Sequence, residues 1–176
     1  MNILALCGSL RAQSTNLAVL QAAQLIAPDG CIVTIYEGLA ALPHFNPDLD
    51  TEPLPTPVAS LRKAIGVADA LLISSPEYAR GVAGAFKNAL DWLVSGHEFP
   101  GKPIAVINAS QRSSVADAAL KLTLTTMAGQ LIEEASIMLP LTGSKLDAQG
   151  IAADPDLGPK LAAALGALCA AAKETA

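Results

Sequence analysis

The sequence is poor in aromatic and charged residues. It has one tryptophan, two tyrosines and three phenylalanines, and 15% of its residues are charged. The formal net charge of −5 argues against a nucleic-acid surface and against docking on anionic lipid. A local cradle of backbone N–H groups can still bind an anion. With 176 residues, 52% of them hydrophobic, we predict a single domain over residues 1–176 with a core that needs neither disulfides nor metals.

Cysteine and histidine are also scarce. Cys7, Cys31 and Cys169 are scattered, with no Cys-x-x-Cys motif and no Cys/His cluster at metal-binding spacing. We therefore predict no metal site and interpret the cysteines as small buried hydrophobic residues in a reducing compartment. His44 and His97 have no Ser or Cys nucleophile pattern near them. We accordingly predict no catalytic nucleophile or triad, and a surface-loop position for His97.

Long hydrophobic runs are absent. The N-terminus has no basic segment before its short apolar run, which favours a core strand over a signal peptide. The longest apolar stretch, Leu161–Ala172, is bounded by Lys160 and Lys173 and is too short to span a bilayer. We therefore expect a soluble, cytoplasmic protein with neither a nucleic-acid partner nor a membrane partner.

Short apolar runs alternate with helical periodicity along the chain. The predicted strands are Ile3–Cys7, Ile32–Tyr36, Ala70–Ser74, Ile104–Asn108 and Ala135–Leu139. The predicted helices cover about 15–27, 58–65, 84–94 and 114–128, with a last helix from Leu157 onwards. This alternation predicts an α/β fold with a parallel sheet covered on both faces. Ligands of such sheets bind beyond the carboxyl ends of the strands, where strand order reverses.

The loop after the first predicted strand, Gly8–Asn16, suits a phosphate monoester. It joins a buried strand to a helix N-terminus, where unpaired N–H groups and the helix dipole favour an anion. Ser9, Ser14 and Asn16 add short donors, and Arg11 adds a cation. Neither Gly-Lys-Ser/Thr nor Gly-x-Gly-x-x-Gly occurs there, which excludes a P-loop and a dinucleotide fingerprint. The alternative that Ser14 only caps the helix stays open.

The loop after the third predicted strand, Ser75–Gly84, has the composition of a ligand edge. Pro76 stiffens the turn, and Gly81 lets the backbone approach a ligand closely. Tyr78 either covers a flat heterocycle or simply packs against the protein. Glu77 either belongs to this edge or is a solvated surface carboxylate. On residue types alone, both pairs of alternatives remain open.

The two loops together carry a family resemblance. The first reads Gly8-Ser9-Leu10-Arg11-x-x-Ser14-x-Asn16, and the second reads Ser75-Pro76-Glu77-Tyr78 followed by Gly84-x-x-Lys87-Asn88-Ala89-Leu90-Asp91-Trp92. The stretch Phe99–Val106 fits the family's fourth strand. Over about residues 1–115 the chain resembles NAD(P)H-dependent FMN reductases, a family that includes quinone and chromate reductases.

The resemblance implies a fold, a cofactor and a site. The fold would be a flavodoxin-like three-layer sandwich with a five-stranded parallel sheet in the order 2-1-3-4-5. The cofactor would be FMN, with NAD(P)H as co-substrate, in a homodimer or homotetramer. The implied cofactor-binding residues are Ser9, Arg11, Ser14 and Asn16 for the phosphate, Pro76, Glu77, Tyr78 and Gly81 for the ring, and Ser110 for its far edge. We expect structural roles for the matching helix residues Lys87, Asn88, Asp91 and Trp92.

Two departures from the family pattern concern the ring. The commonest family form has Asn, Ser and Pro where this chain has Ala79, Gly81 and Ala83, so side-chain contacts are lost while backbone N–H groups remain. The third loop, usually glycine-containing, reads Ser-Gln-Arg-Ser-Ser over 110–114. Arg112 either contacts a cofactor or is solvated, and both alternatives stay open.

The function implied by the resemblance is that of an oxidoreductase. A nicotinamide hydride would go to flavin N5, and the reduced flavin would then reduce a quinone, flavin, azo compound or metal oxyanion. Because one flavin face would serve both substrates in turn, the kinetics would be ping-pong. Two alternatives remain: an FMN-binding electron carrier without significant NAD(P)H turnover, and a protein of the same fold that has lost flavin.

Overall fold

A central parallel sheet organises the chain, whose computed structural model describes residues 1–175. In chain order the strands are β1 (Asn2–Cys7), β2 (Ile32–Ile35), β3 (Ala70–Ser74), β4 (Glu77–Tyr78), β5 (Gly81–Val82), β6 (Pro103–Val106) and β7 (Gln130–Leu131). The sheet runs β2-β1-β3-β6-β7, while β4 and β5 form a separate antiparallel hairpin. Without the hairpin this is the predicted order 2-1-3-4-5, so the flavodoxin-like fold is confirmed.

Helices cover both faces of the sheet. They are α1 (Thr15–Leu25), α2 (Thr56–Gly66), α3 (Gly84–Leu93), α4 (Ser114–Thr126), α5 (Ala148–Ala153) and α6 (Leu157–Thr175). Short 3-10 helices occupy Gly38–Ala41, Pro47–Leu49 and Glu133–Ala135. The first two of these turns give local structure to the segment 38–57, which has no strand and only the start of α2.

The alternation of side chains in β3 divides the interior into two cores. Ala70 and Leu72 belong to the core shared with α1 and α6, whereas Leu71 and Ile73 belong to the core shared with α2, α3 and α4. All five residues of β3 are buried. A strand with apolar neighbours on both faces explains the nearly continuous apolar runs in the sequence. This packing on both faces also fixes the position of the end of β3, where the second loop begins.

The fifth predicted strand, Ala135–Leu139, is wrong in position. The edge strand β7 pairs with β6 earlier in the chain, and a 3-10 turn over Glu133–Ala135 follows it. The chain rejoins the sheet edge only at Met138, in an isolated bridge with Asn108. An edge strand has one neighbour, so an interruption costs few ladder bonds, and Glu133 and Glu134 remain exposed in the turn.

The predicted burial of the cysteines is confirmed for Cys7 and Cys169, whereas Cys31 is half-buried against the same core. The sulfur atoms of Cys31 and Cys169 lie in contact between the start of β2 and α6, with Cα atoms 7.1 Å apart. This separation is slightly beyond the usual span of a disulfide. The two residues are 138 positions apart, so only the topology brings them together. Cys7 is free and buried, and burial raises the pKa of its thiol.

Two further sequence-based expectations concern metals and membranes. Among residues 1–175, no group of three or more His, Cys, Asp and Glu side chains comes together in a way that could hold a metal ion. No helix in this described part is long and apolar enough to cross a membrane. His97 lies in a surface loop as predicted, with its side chain 96% exposed.

Candidate cofactor site

Three loops meet at the carboxyl edge of the sheet. Loop 1 (residues 8–14) follows β1, loop 2 (residues 75–83) follows β3, and loop 3 (residues 107–113) follows β6. Strand order reverses at β1 and β3, which is where doubly wound sheets bind ligands. A pocket of about 260 Å³ opens there, lined by the start of α1, by loops 2 and 3, and by the segment 141–143. The fold thus brings together the loops that the sequence singled out.

Loop 1 delivers the N-terminus of α1 to the site. Ser14 is the N-cap, because its Oγ accepts the N–H of Leu17 at 3.3 Å. Ser14 therefore caps the helix, and because its hydroxyl hydrogen is still available as a donor, its contact with a phosphate stays a prediction. The N–H groups of Thr15 and Asn16 belong to the first turn, which has no intrahelical acceptors. Arg11 is exposed beside them, so this terminus has the charge and the donors of an anion cradle.

Asn16 joins α1 to the end of β3. Its Oδ1 lies 2.9 Å from Oγ of the fully buried Ser74, which is also 2.9 Å from the carbonyl oxygen of Ile107. The Ser74 hydroxyl has only one hydrogen, which it can donate to the carbonyl of Ile107. The second bond then forms when the Asn16 amide is rotated so that its NH2 group donates to Oγ of Ser74. Asn16 therefore links α1 to the end of β3 and, through Ser74, to the start of loop 3. Its assignment to a phosphate stays a prediction.

Loop 2 is a hairpin that the sequence did not reveal. Tyr78 pairs with Gly81, and the two residues between them, Ala79 and Arg80, have φ of 49° and 60°. Such turns favour Asn-Gly, which explains why Ala-Arg gave no hairpin signal. Tyr78 is 56% exposed, so its ring is not core packing and is free to cover a ligand. The left-handed backbone falls on Ala79 and Arg80 rather than on Gly81.

Glu77 fixes this hairpin to the next helix. Its Oε2 accepts the N–H of Ala116, in the first turn of α4, at 2.8 Å. Ser113 occupies the N-cap position of α4 but makes no side-chain cap bond. The Glu77 carboxylate supplies that cap and lies at the favourable end of the helix dipole. It is therefore not a solvated surface carboxylate, and its backbone is the part left free for a ligand.

Loop 3 is shaped from inside by Asn108, which sequence reasoning missed. Asn108 is 7% exposed; its Nδ2 donates to the carbonyl of Ser113, and its Oδ1 accepts the N–H of Ser110, both at 3.0 Å. An amide at the end of an otherwise apolar strand was the available signal. Oγ of Ser110 lies 3.0 Å from Oγ1 of Thr142, which connects loop 3 to the segment after β7.

The matching residues of α3 hold a neighbouring loop, as a structural role would require. Nδ2 of Asn88 and Nε1 of the buried Trp92 both donate to the carbonyl of Pro43, at 2.9 and 2.8 Å. Lys87 and Asp91 form an i,i+4 ion pair at 2.6 Å on the surface. None of these contacts faces the pocket between loops 1, 2 and 3.

The donors of the site fit a flavin mononucleotide. The first turn of α1 and Arg11 provide one cradle for a phosphate monoester. Glu77 lines the pocket, but its carboxylate is already paired with the N–H of Ala116, which limits its repulsion of an anion. Loops 2 and 3 both line the pocket, which is where a flat ring would lie.

Comparisons with known proteins agree with this geometry. A family model described as NADPH-dependent FMN reductase matches residues 1–143. An NAD(P)H-dependent FMN reductase from Pseudomonas aeruginosa is 35% identical over 155 residues, covering 85% of this chain and 83% of that protein. A quinone reductase from Escherichia coli K12 is 34% identical over 113 residues, covering 62% and 60%. The solved structure of FerB, a flavoenzyme NAD(P)H:(acceptor) oxidoreductase from Paracoccus denitrificans, has a TM-score of 0.71 at 28% identity and covers 99% of this chain and 96% of that one.

Sequence and structure therefore lead to the same assignment. The family match covers well over half of the chain, including all three loops of the site. The P. aeruginosa relative is similar over most of its own length. The chain belongs to the NADPH-dependent FMN reductase family, which confirms the predicted family, the predicted enzyme class and the prediction of FMN with NAD(P)H as co-substrate.

Proposed function

We propose that this protein holds FMN between loops 1, 2 and 3 and uses it to pass reducing equivalents from NAD(P)H to a small acceptor. The observation that carries the proposal is the juxtaposition of an anion cradle with an open slot. The cradle is the first turn of α1 with Arg11, and the slot lies between loops 2 and 3, next to the point between β1 and β3 where strand order reverses.

The phosphate would be held by loop 1. The N–H groups at the start of α1 would donate to it, together with the hydroxyls of Ser9 and Ser14 and the guanidinium of Arg11. Oγ of Ser9 accepts the N–H of Arg11 at 3.3 Å, so its own hydrogen remains available. In this proposal Asn16 contributes through its backbone, because its side chain is engaged by Ser74.

The ring would lie between loops 2 and 3. Pro76 and Glu77 line the pocket, and Tyr78 would cover the ring from the hairpin. Gly81 lies opposite Tyr78 in the hairpin and would contribute only backbone groups. Ser110 would approach the far edge, since it borders the same pocket.

Bound FMN would supply the two-electron redox chemistry between the nicotinamide and the acceptor. The side chains of the protein orient the two substrates and exclude water, and none needs to act as a nucleophile. Because the slot between loops 2 and 3 is open to solvent, it would suit acceptors of several classes: quinones, flavins, azo compounds and metal oxyanions. Because donor and acceptor would use the same slot in turn, we propose a ping-pong mechanism.

We also propose a homo-oligomer that acts in the cytoplasm. The outer face of α4 supports self-association, because apolar residues recur there at i, i+3, i+4 and i+7. They are the exposed residues Val115, Ala118, Ala119 and Leu122. The two largest, Val115 and Leu122, are 40% and 68% exposed. The cytoplasmic assignment rests on composition.

An absorption spectrum combined with initial-rate kinetics tests the proposed activity. The purified protein should show the two visible bands of oxidised flavin and should oxidise NAD(P)H when a quinone is added. Initial-rate plots at several quinone concentrations should give parallel lines. Intersecting lines would contradict a shared slot. A flavin-loaded protein that NAD(P)H does not reduce would favour the electron-carrier alternative, and a protein unable to bind FMN would favour loss of the cofactor.

A further inference from the structure

The arginines of this chain are unevenly distributed. There are four, and the guanidinium of Arg62 is bound to Asp50 at 2.9 Å and to the carbonyl of Trp92. The other three are Arg11 in loop 1, Arg80 in loop 2 and Arg112 in loop 3. All three are exposed, and within residues 1–175 none of their guanidinium groups has an ion pair or a hydrogen bond. The arginines without partners thus lie one per loop around the proposed site.

The three arginines concentrate positive charge at one edge of a molecule whose net charge is negative. The net charge is −5, yet the carboxyl edge of the sheet carries three arginines with no carboxylate partner. Arg11 is accounted for by the cradle at the start of α1. Arg80 and Arg112 are not, and each has a guanidinium fork that matches the oxygens of a phosphate.

The backbone conformation of Arg80 is energetically unfavourable. Ala79 and Arg80 both have left-handed φ values, which are unfavourable for residues with a Cβ. Such conformations persist where the surrounding structure imposes them, and they cluster at functional sites. Here the hairpin imposes them: a two-residue turn between β4 and β5 presents Arg80 at its exposed tip.

One hydrogen bond brings the segments of Arg80 and Arg112 together. Glu77 begins the hairpin and accepts the N–H of Ala116, which follows loop 3 in the first turn of α4. Arg80 lies three residues after Glu77, and Arg112 lies four residues before Ala116. In loop 3, Oγ of Ser110 accepts the N–H of Arg112 at 3.2 Å. The two arginines therefore belong to segments that are joined beside the same slot.

We propose that Arg80 and Arg112 form a second anion site, separate from the loop 1 cradle, that binds the phosphate groups of the nicotinamide dinucleotide donor. This inference rests on the proposed function. A dinucleotide carries at least two negative charges on its diphosphate, which two guanidinium groups can neutralise. Neutral acceptors such as quinones carry no group for this site. An anionic acceptor shares the chemistry, so the test includes one.

The test measures each half-reaction by rapid mixing on FMN-loaded protein. The variants are Arg80→Ala, Arg112→Ala and the double variant, with Lys63→Ala as the matched control. Lys63 is an exposed cation in the last turn of α2, which ends at the opposite edge of the sheet. Reduction is measured with NADPH and with the uncharged donor N-benzyl-1,4-dihydronicotinamide. Reoxidation is measured with benzoquinone and with ferricyanide, which are neutral and anionic respectively.

We expect each single variant to lower the second-order rate constant for NADPH about 5- to 30-fold, because each loses one charge-assisted contact at an exposed position. The salt dependence of that rate constant should weaken in parallel. Reduction by the uncharged donor should stay within about twofold of wild type, as should the FMN content and the circular dichroism. Lys63→Ala should match wild type in every measurement.

Three results would overturn the site. The first is an unchanged NADPH rate in the double variant. The second is an equal fall with NADPH and with the uncharged donor, which would indicate a distorted hairpin. The third is a loss confined to ferricyanide, which would assign the arginines to an anionic acceptor. A wild-type protein whose bound FMN is reduced by neither donor would instead reject the proposed function itself.

Discussion

At the scale of single residues, Glu77 illustrates how one side chain can join two loops of the candidate site. Its carboxylate caps α4 through the N–H of Ala116, at a distance of 2.8 Å. The bond connects the hairpin of loop 2 to the start of the helix that follows loop 3. If the flavin ring lies between these loops, the spacing of the two walls depends on this contact.

Replacing Glu77 should therefore weaken both the fold and cofactor binding. We expect Glu77→Ala to lower the free energy of unfolding by about 0.5–2 kcal/mol, the usual cost of losing a helix cap. FMN affinity should fall as well, because loops 2 and 3 lose their connection. Urea unfolding and quenching of flavin fluorescence on binding measure the two effects.

The conservative variant separates capping from charge. Glu77→Gln keeps an acceptor oxygen for the N–H of Ala116, so it should recover most of the stability and of the FMN affinity. Glu174→Ala, which removes an exposed carboxylate near the end of α6, is the matched control. The cap assignment fails if the Gln and Ala variants are equally impaired, or if Glu77→Ala behaves like the control.

The residue types predicted the location of the candidate site more accurately than they predicted the contacts of its individual side chains. Ser9, Ser14, Pro76, Glu77 and Ser110 all lie in the three loops at the predicted edge. Ser14 also caps α1, as the sequence allowed, whereas Glu77 caps α4 with a partner that the sequence did not reveal. The same donors and acceptors serve a ligand or a neighbouring loop equally well. Only the folded geometry shows which partner is within reach.

At the scale of secondary-structure elements, prediction succeeded where elements are long or buried on both sides. The strand Ala70–Ser74 was predicted with its observed bounds, because five apolar or small residues are enclosed by helices. The hairpin of loop 2 was missed, since Ala79 and Arg80 are poor turn formers. The edge strand was misplaced, because a segment that pairs on one side leaves a weak hydrophobic pattern.

The start of α6 offers a prediction at this scale. Oδ1 of Asp154 accepts the N–H groups of Asp156 and Leu157, both at 2.9 Å. The bond from Leu157 is the larger cause that lowers the pKa of Asp154, and the bond from Asp156 is the next. The folded state therefore favours the ionised carboxylate. Its contribution to stability is present above the unfolded-state pKa, about 3.9, and is lost as the pH falls through the lower folded value.

We accordingly expect Asp154→Ala to lower Tm at pH 7, with the difference from wild type shrinking as the pH falls below about 4. Asp154→Asn should keep most of the stability at pH 7, since asparagine caps helices about as well as aspartate, and should lose the pH dependence. Thermal unfolding followed by circular dichroism between about pH 3 and about pH 7 measures both effects. A difference independent of pH would contradict the role of the ionised carboxylate.

At the scale of the whole molecule, the site is assembled from distant parts of the chain. Asn16 reaches Ser74 across 58 residues, and Glu77 reaches Ala116 across 39. A ligand that binds among these loops therefore binds only the folded state. It must raise the free energy of unfolding by RT ln(1 + [L]/Kd), which is about 2.7 kcal/mol at one hundred times Kd. For a chain of this size that corresponds to a Tm increase of about 5–10 °C.

This linkage gives a test of the phosphate cradle that does not depend on turnover. FMN added to the apo protein should raise Tm by this amount, whereas riboflavin at the same concentration should raise it less, because it lacks the phosphate. Arg11→Ala should weaken FMN binding by about 1.5–3 kcal/mol, the range for a charge-assisted hydrogen bond. The same variant should leave the smaller effect of riboflavin unchanged. Equal Tm shifts for the two flavins, or an Arg11→Ala effect of the same size on both, would show that the phosphate does not bind at the start of α1.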